Sequence, residues 1–300
     1  MRYPTILVTG STGKTGKYVV EQLRERGFPV RALARKYDER TEHLESIGAQ
    51  VVLGDFLDLS SMRAAVRGTQ RVYFCYPPNV GRLVEATSIM AEAAEAEGVE
   101  VVVNVSQISA REDSLSPVAR QHWLSERVLD WANVGAAHLR PTFFAEMLVI
   151  LGAASISNED TLLLPFGEGR HAPVAAADIA RVATAILADP TGHIGERYVV
   201  TGPLNMTVTE MAAVVSGELG RTVTYVQPPR EVWAQALEVQ GGLPAVLVKH
   251  LVAVAGDHQN GVFSAQTDIV ERIGGQKPQS LGGYIRENLA QFTPREAHRA

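Results

Sequence analysis

The opening of the chain constrains its fold more than any other stretch. Residues Thr5 to Thr9 favour a β-strand and run straight into Gly10, Gly13 and Gly16, spaced G-x-x-G-x-x-G. Tyr18, Val19, Val20 and Leu23 then recur at helical spacing. A strand that ends in a glycine turn and opens a helix presents free backbone N–H groups at the positive end of a helix dipole. A pyrophosphate binds at such a place. Gly10 allows the tight turn, Gly13 lets the backbone approach the phosphates, and Gly16 lets the helix pack closely on the sheet. Glycines also mark ordinary turns, but the flanking strand and helix outweigh that reading. The loop predicts a bound dinucleotide, with Ser11, Thr12 and Thr15 beside the three glycines as candidate cofactor-binding residues.

The rest of the chain reads as an α/β enzyme-sized protein of 300 residues. A net charge of -5 leaves no basic excess for nucleic acid. No run reaches the ~18 apolar residues of a membrane span. Pro4 and Gly10 interrupt any signal-peptide pattern, and Cys75 is the single cysteine, so a disulfide-free cytoplasmic protein is expected. Cys75 lies in the apolar run Val72–Cys75 and reads as a core thiol.

Short apolar runs near 5–9, 29–34, 50–53, 71–75, 100–105 and 136–139 predict strands, with helices clearest at 14–26, 81–97 and 117–133. Another strand is expected near 196–200, after a helix over 178–188 that Asp178 would N-cap. This alternation predicts a Rossmann-type doubly wound parallel sheet. Residues 1–141 and 172–201 would form this dinucleotide-binding domain. Residues 142–171 and 202–292 would form a smaller discontinuous substrate lobe, with a frayed tail at 293–300.

The end of the second strand bears on cofactor choice. A carboxylate there would hold the ribose hydroxyls and repel a 2′-phosphate. The chain instead has Arg35 and Lys36, and Arg35 can pair with that phosphate. NADP(H) is therefore favoured over NAD(H), which stays open because a basic turn can equally be solvated. Asp55 and Phe56, beyond the third strand, are placed to frame the adenine. Tyr76 and Pro77, with Pro78 and Asn79, close the fourth strand, and Ser106 with Gln107 closes the fifth. These strand ends face the nicotinamide side of the cleft.

Together these residues resemble the NmrA-like branch of the atypical short-chain dehydrogenase/reductase superfamily. The resemblance rests on the glycine loop, Val30–Arg35, Gly54-Asp55-Phe56, Leu139-Arg140-Pro141, Asp178-Ile179-Ala180 and Tyr198–Pro203. It implies a Rossmann fold and a nicotinamide cofactor. It leaves function open among quinone reductases, other small-molecule reductases and redox-sensing regulators that act through a partner protein. The superfamily's usual catalyst is a Tyr-x-x-x-Lys pair on the helix after the fifth strand. The chain departs from it, with no tyrosine between Tyr76 and Tyr198 and no lysine between Lys36 and Lys249.

That helix carries His122 and Glu126 instead, four apart and so on one face. Glu126 can orient His122 as a proton donor, or the two can be a plain helical pair. His43 and His138 read as structural, and His171 stands near a pocket edge. Reducing a ketone makes an alkoxide that needs a positioned acid, whereas a quinone gives a stabilised phenolate. Phe143, Phe144 and Met147, with Gln107, offer an apolar substrate pocket, although the same aromatics can be core. No metal site is expected. The reading is an NAD(P)H-dependent oxidoreductase acting on a quinone or conjugated aromatic carbonyl, including polyketide-like ones, and able to support a hydroxylation step. A redox-sensing regulator and a natural-product ketoreductase are the alternatives.

Overall fold

A computed structural model describes residues 3–77, 81–239 and 241–293. Pro78, Asn79 and most of the expected tail fall outside them. Six βα steps and one later strand build the first part of the chain. In order these are β1 (Ile6–Val8), α1 (Gly16–Glu25), β2 (Val30–Ala34), α2 (Glu39–Ser46), β3 (Gln50–Leu53) and α3 (Leu59–Val66). Then come β4 (Arg71–Phe74), α4 (Leu83–Ala96), β5 (Val101–Val105), α5 (Pro117–Trp131) and β6 (Gly135–Pro141). The chain continues through α6 (Glu146–Glu159), β7 (Thr161–Leu163) and β8 (Arg170–His171) to α7 (Ala176–Ala188) and β9 (Arg197–Val200).

Seven strands form one parallel sheet in the order β3-β2-β1-β4-β5-β6-β9. Leu7 pairs with Val72 of β4 on one side and Arg31 of β2 on the other. Strand order reverses between β1 and β4, and ligands of open α/β sheets bind outside the strand ends at such a switch point. Burial on both faces explains the unbroken apolar strands. One face holds a core of Leu7, Val72, Phe74 and Val102 against Met62 of α3, Met90 of α4 and Leu129 of α5. The opposite face is covered by α1 and α7, which pack on each other.

The helix expected to begin at Asp178 begins two residues earlier, at Ala176. Asp178 is therefore not its N-cap. It sits in the first turn, where its carboxylate pairs with Arg181 and still suits the helix dipole.

The remaining elements are β10 (Met206–Thr207), α8 (Val208–Leu219), β11 (Thr224–Val226), α9 (Arg230–Val239), α10 (Ala245–Gln259), α11 (Ile269–Gly274) and α12 (Leu281–Glu287). The chain divides into two compact units. The first comprises 1–141, 176–200 and 269–276, and the second 142–175, 201–268 and 277–300. Residues 269–276, expected in the substrate lobe, instead return to the first unit, where α11 packs on α7. In the second unit β8 pairs antiparallel with β10, and β7 pairs parallel with β11. Thr207 caps α8 through a reciprocal pair with Glu210, a capping box. No helix among the described residues is long and apolar enough to cross a membrane.

Two glycine substitutions test this packing in opposite directions. A Cβ on Gly16 would lie 2.2 Å from the Gly10 carbonyl oxygen, whereas one on Gly217 of α8 meets nothing within 4 Å. Gly16→Ala should destabilise the protein by about 2 kcal/mol or more. Gly217→Ala should stabilise it by up to ~1 kcal/mol through helix propensity. Urea unfolding midpoints give both signs.

Candidate functional site

The glycine loop is a closed turn rather than an open flap. Gly10 has a left-handed φ of 57°. Its carbonyl accepts the Gly13 amide at 2.8 Å. A Cβ on Gly13 would come within 3.0 Å of that oxygen, and one on Gly10 within 2.9 Å of the Cys75 carbonyl at the end of β4. The Gly13 N–H is thus committed inside the loop. The Thr12, Lys14 and Thr15 amides make no backbone hydrogen bond among the described residues. They lie just ahead of α1, where an anion meets the dipole. A dinucleotide pyrophosphate fits this cradle.

Two loop side chains have other work than touching a ligand. The buried Ser11 hydroxyl donates to the Leu33 carbonyl of β2 at 2.8 Å. Thr15 Oγ1 accepts from the Tyr73 hydroxyl at 2.6 Å, and Thr9 Oγ1 accepts the Cys75 amide at 3.0 Å. Ser11 and Thr15 therefore tie the loop to its neighbouring strands. Cys75, at the foot of the loop, is half-buried as a residue, but its thiol is turned inward and burial pushes its pKa up, as expected of a core thiol.

A cavity of about 420 Å³ opens beside the loop, within the first unit. Thr12, Gly13, Lys14, Lys17, Arg40 and His43 line it. Its volume falls in the ~300–1,000 Å³ range of small-ligand pockets. Arg40 grips Asp38 through Nε at 3.2 Å and Nη2 at 2.6 Å, and His43 pairs with Glu21 at 3.3 Å. Lys17 Nζ lies 4.5 Å from the Tyr18 ring centre. Lys14 has no ionic partner among the described residues. Lys14, Lys17 and Arg40 are not among the residues expected to bind the cofactor, and His43, expected to be structural, lines the cavity with them. Part of their signal is in the spacing: Arg40 and His43 are three apart on α2 and share its face, while Lys14 stands just ahead of α1 and Lys17 in its first turn.

The expected adenine-side residues separate on inspection. Arg35 is exposed at the end of β2, and its charge bears on Tyr76 rather than lining the cavity. Asp55 is exposed and accepts the Leu57 amide at 2.9 Å, which shapes its own turn. Phe56 does not offer its face to a base. It is buried and stands edge-on to Phe74 at 6.0 Å and Tyr76 at 5.2 Å. Phe56 therefore fixes Tyr76, whose hydroxyl is buried without a hydrogen-bond partner. Pro77 follows as the last described residue of this turn.

At the end of β5, Ser106 is buried with its hydroxyl against the Glu126 carboxylate, and Gln107 is half-buried. His122 and Glu126 share the buried face of α5. The carboxylate that the spacing pairs with His122 is clamped from the sheet. Arg140 Nε and Nη2 reach it at 2.8 and 2.5 Å, and Arg197 Nε at 3.2 Å. Burial pushes the Glu126 pKa up, but the Arg140 hydrogen bonds and charge outweigh it and hold the group ionised below its ordinary value. Beside it His138 is fully buried between two partners. Asn104 Nδ2 reaches Nδ1 at 3.0 Å, and Nε2 reaches Asp130 at 3.1 Å. Since an amide NH₂ only donates, Nε2 carries the proton and donates to Asp130. Burial keeps this ring neutral by lowering its pKa.

The other pocket candidates lie in the second unit. Phe143 is core, edge-on to Phe166 at 5.8 Å, while Phe144 and Met147 stay partly exposed. Among the described residues no group of three or more His, Cys, Asp or Glu side chains is placed to hold a metal.

A family model described as the NmrA-like family matches residues 3–285. The NAD(P)H azoreductase of Xenophilus azovorans is 33% identical over 293 residues, which cover 96% of this chain and 99% of that protein. Quinone oxidoreductase 2 of Escherichia coli is 26% identical over 90% of this chain and 93% of its own length. The crystal structure of an NADPH-dependent quinone oxidoreductase from Escherichia coli, complexed with NADPH, matches with a TM-score of 0.84 at 24% identity. That match covers 95% of this chain and 99% of the other. Sheet and loop define a Rossmann-type NAD(P)-binding protein. The chain belongs to the NmrA-like family.

The Arg140 clamp makes a stability prediction with a definite pH sense. Arg140→Met should cost ~3–5 kcal/mol at neutral pH, because it strips the main partner from a fully buried carboxylate. In the wild type the lowered Glu126 pKa contributes stability above about pH 4.5 that is lost as pH falls through the folded pKa. In the variant the carboxyl is pushed up instead, so its deficit should be largest at pH 7 and shrink toward pH 4. Urea titrations at both pH values check this.

Proposed function

We propose that this NAD(P)H-dependent oxidoreductase uses NADPH in preference to NADH to reduce quinones and related conjugated aromatic acceptors. The observation that carries the reading is on α5. The superfamily's tyrosine and lysine are absent there, and its one buried carboxylate is bound by Arg140 and Arg197. A carboxylate held ionised by two guanidiniums is a poor proton donor. The acceptor must then tolerate reduction without a strong acid beside it. A quinone does so, since its reduced oxygen is a stabilised phenolate that water protonates later. The bound cofactor supplies the hydride. The chain's residues hold, orient and shield the reactants.

Each group then has a defined part. The Thr12, Lys14 and Thr15 amides take the pyrophosphate, Lys14, Lys17 and Arg40 supply the positive cavity for the 2′-phosphate, and Arg35, exposed at the end of β2, adds its charge to that side. Tyr76, Pro77 and Ser106 stand at the strand ends on the nicotinamide side. His122 is the remaining candidate for proton delivery on α5 and assists rather than decides. The azoreductase relative, at 33% identity, supports adding azo compounds to the acceptors tested.

The cofactor reading predicts a split between the two dinucleotides. Lys14→Ala/Lys17→Ala should weaken NADPH by about tenfold or more, the equivalent of ~1.4 kcal/mol, and change NADH affinity far less. Arg35→Asp should act in the same direction. Equal losses for both cofactors in calorimetry would remove these side chains from the 2′-phosphate site.

The reaction itself is tested by following NADPH oxidation with quinones, aromatic polyketide quinones, azo dyes and simple ketones. Turnover should be confined to the conjugated acceptors. His122→Ala should slow quinone reduction by less than ~10²-fold, the low end for a positioned general acid. A loss of ~10⁴-fold with cofactor affinity intact would favour the ketoreductase reading. Tight cofactor binding without turnover on any acceptor would favour the regulator.

A further inference from the structure

Two buried histidines at the centre of the second unit play no part in the reading above. His258, in the last turn of α10, is sandwiched face-on between Phe166 and Phe263, with ring centres 3.7 and 3.6 Å away and planes within 10° and 14°. His171 of β8 is completely buried 4.7 Å from His258, beside Phe143 and Phe166. Neither ring nitrogen of His171, nor Nδ1 of His258, reaches a hydrogen-bond partner. The backbone closes tightly on the pair, since a Cβ on Gly169 would lie 2.0 Å from the His258 carbonyl oxygen.

We propose that the buried His171–His258 pair makes the second unit acid-labile. Protonating His258 forces it out of its aromatic sandwich, protonating His171 drives it from its buried place beside that sandwich, and either loosens this unit while the first keeps its fold. His258 packs there only as a neutral imidazole, because a cation would lose its water and find no acceptor at Nδ1. Two effects oppose this. The end of the α10 dipole and the faces of Phe166 and Phe263 each favour a cation. An in-plane N–H cannot point at a ring stacked face-on, so the desolvation cost remains. Two cations 4.7 Å apart would also repel.

The surrounding charges do not rescue the pair. On α10 these are His250 and Asp257, the first itself pulled down to about 4 by burial. Arg230 of α9 is occupied by Gln259, and Arg170 beside His171 pairs with Glu210 of α8 at 3.1 Å. Across the ladder the Met206 backbone favours the proton on His171, yet burial pulls that pKa down to about 4. His258 falls well below the ordinary histidine value from burial, then from the nearby His171 and His250.

The direction follows from linkage. Between the ordinary histidine pKa of 6.5 and a folded value of about 4, the unfolded chain binds protons that the folded one refuses. Stability is full above pH 6.5, falls as pH drops through this window, and levels off below about 4. At pH 5 His171 alone lowers the folding equilibrium ~30-fold, and His258 adds to it. The first unit has the fully buried His138 under the same pressure, but there Asn104 and Asp130 supply partners.

Hydrogen exchange of the full chain at pH 7.0 and 5.0, corrected for intrinsic rates, reads the two units separately. Peptides from 161–174 and 248–264 should lose at least ~30-fold more protection on acidification than those from 101–105 and 135–141. His258→Phe and His171→Phe keep a flat ring without a titrating nitrogen and should each narrow the gap. Should a variant fail to fold, the wild-type imidazole NMR signals decide. Both rings must remain neutral at pH 5.5. Titration of either near pH 6.5 in the folded protein, or equal loss of protection in both units, overturns the proposal.

Discussion

The contact on which the site depends is the approach of α1 to the Gly10 carbonyl. That oxygen occupies the space a Cβ would need at Gly16 and accepts the Gly13 amide. One peptide group thus sets the turn after β1, the start of α1 and the exposure of the amides between them. Two further ties hold it against the strands. Ser11 donates to Leu33 of β2, and Tyr73 of β4 donates to Thr15. Any ligand at the switch point meets a loop already in its binding shape, so little ordering entropy opposes binding.

The sheet was legible because its strands are buried on both faces and therefore apolar throughout. The glycine loop was legible because its spacing has a steric cause. Side-chain direction was not. Spacing cannot show that Phe56 turns into the core to brace Tyr76, or that Thr15 faces Tyr73 instead of a ligand. Nor does a single strand end reveal partners from separate helices, so Arg35 stands out in the sequence while Lys17 of α1 and Arg40 of α2 do not. The return at 269–276 was hidden for a related reason. A six-residue helix, Ile269–Gly274, has too short a period to announce which unit it covers.

On α5 the physical problem differs from the one the spacing posed. His122 and Glu126 invite an acid–base reading because they are four apart on one face. The structure adds Arg140 and Arg197 from adjacent strands β6 and β9, which turn Glu126 into part of a buried ion cluster. A buried pair of this kind adds less to stability than its distances suggest, since both groups gave up water. Its consequence is positional. It fixes the inner face of α5 to the ends of β5 and β6, so Ser106 and His122 stand on a rigid wall. On the function proposed for the chain, reactivity then comes from the acceptor more than from a side chain.

The two units solve the burial of histidine in contrasting ways, and the contrast follows from what surrounds each ring. His138 lies between polar neighbours, Asn104 and Asp130, that satisfy both nitrogens and select one tautomer. His258 lies between two phenyl faces that satisfy the ring's area and leave Nδ1 bare. Hydrogen bonds would hold an imidazole in a single orientation, while stacking requires only that it stay flat and uncharged. The first arrangement suits a sheet whose strand ends must present Ser106 at a set height. The second suits the interior of a unit built on two-stranded ladders, where apolar contact carries more of the cohesion. A neutral ring there packs as well as a phenyl, and its charge state is the one property a phenyl lacks.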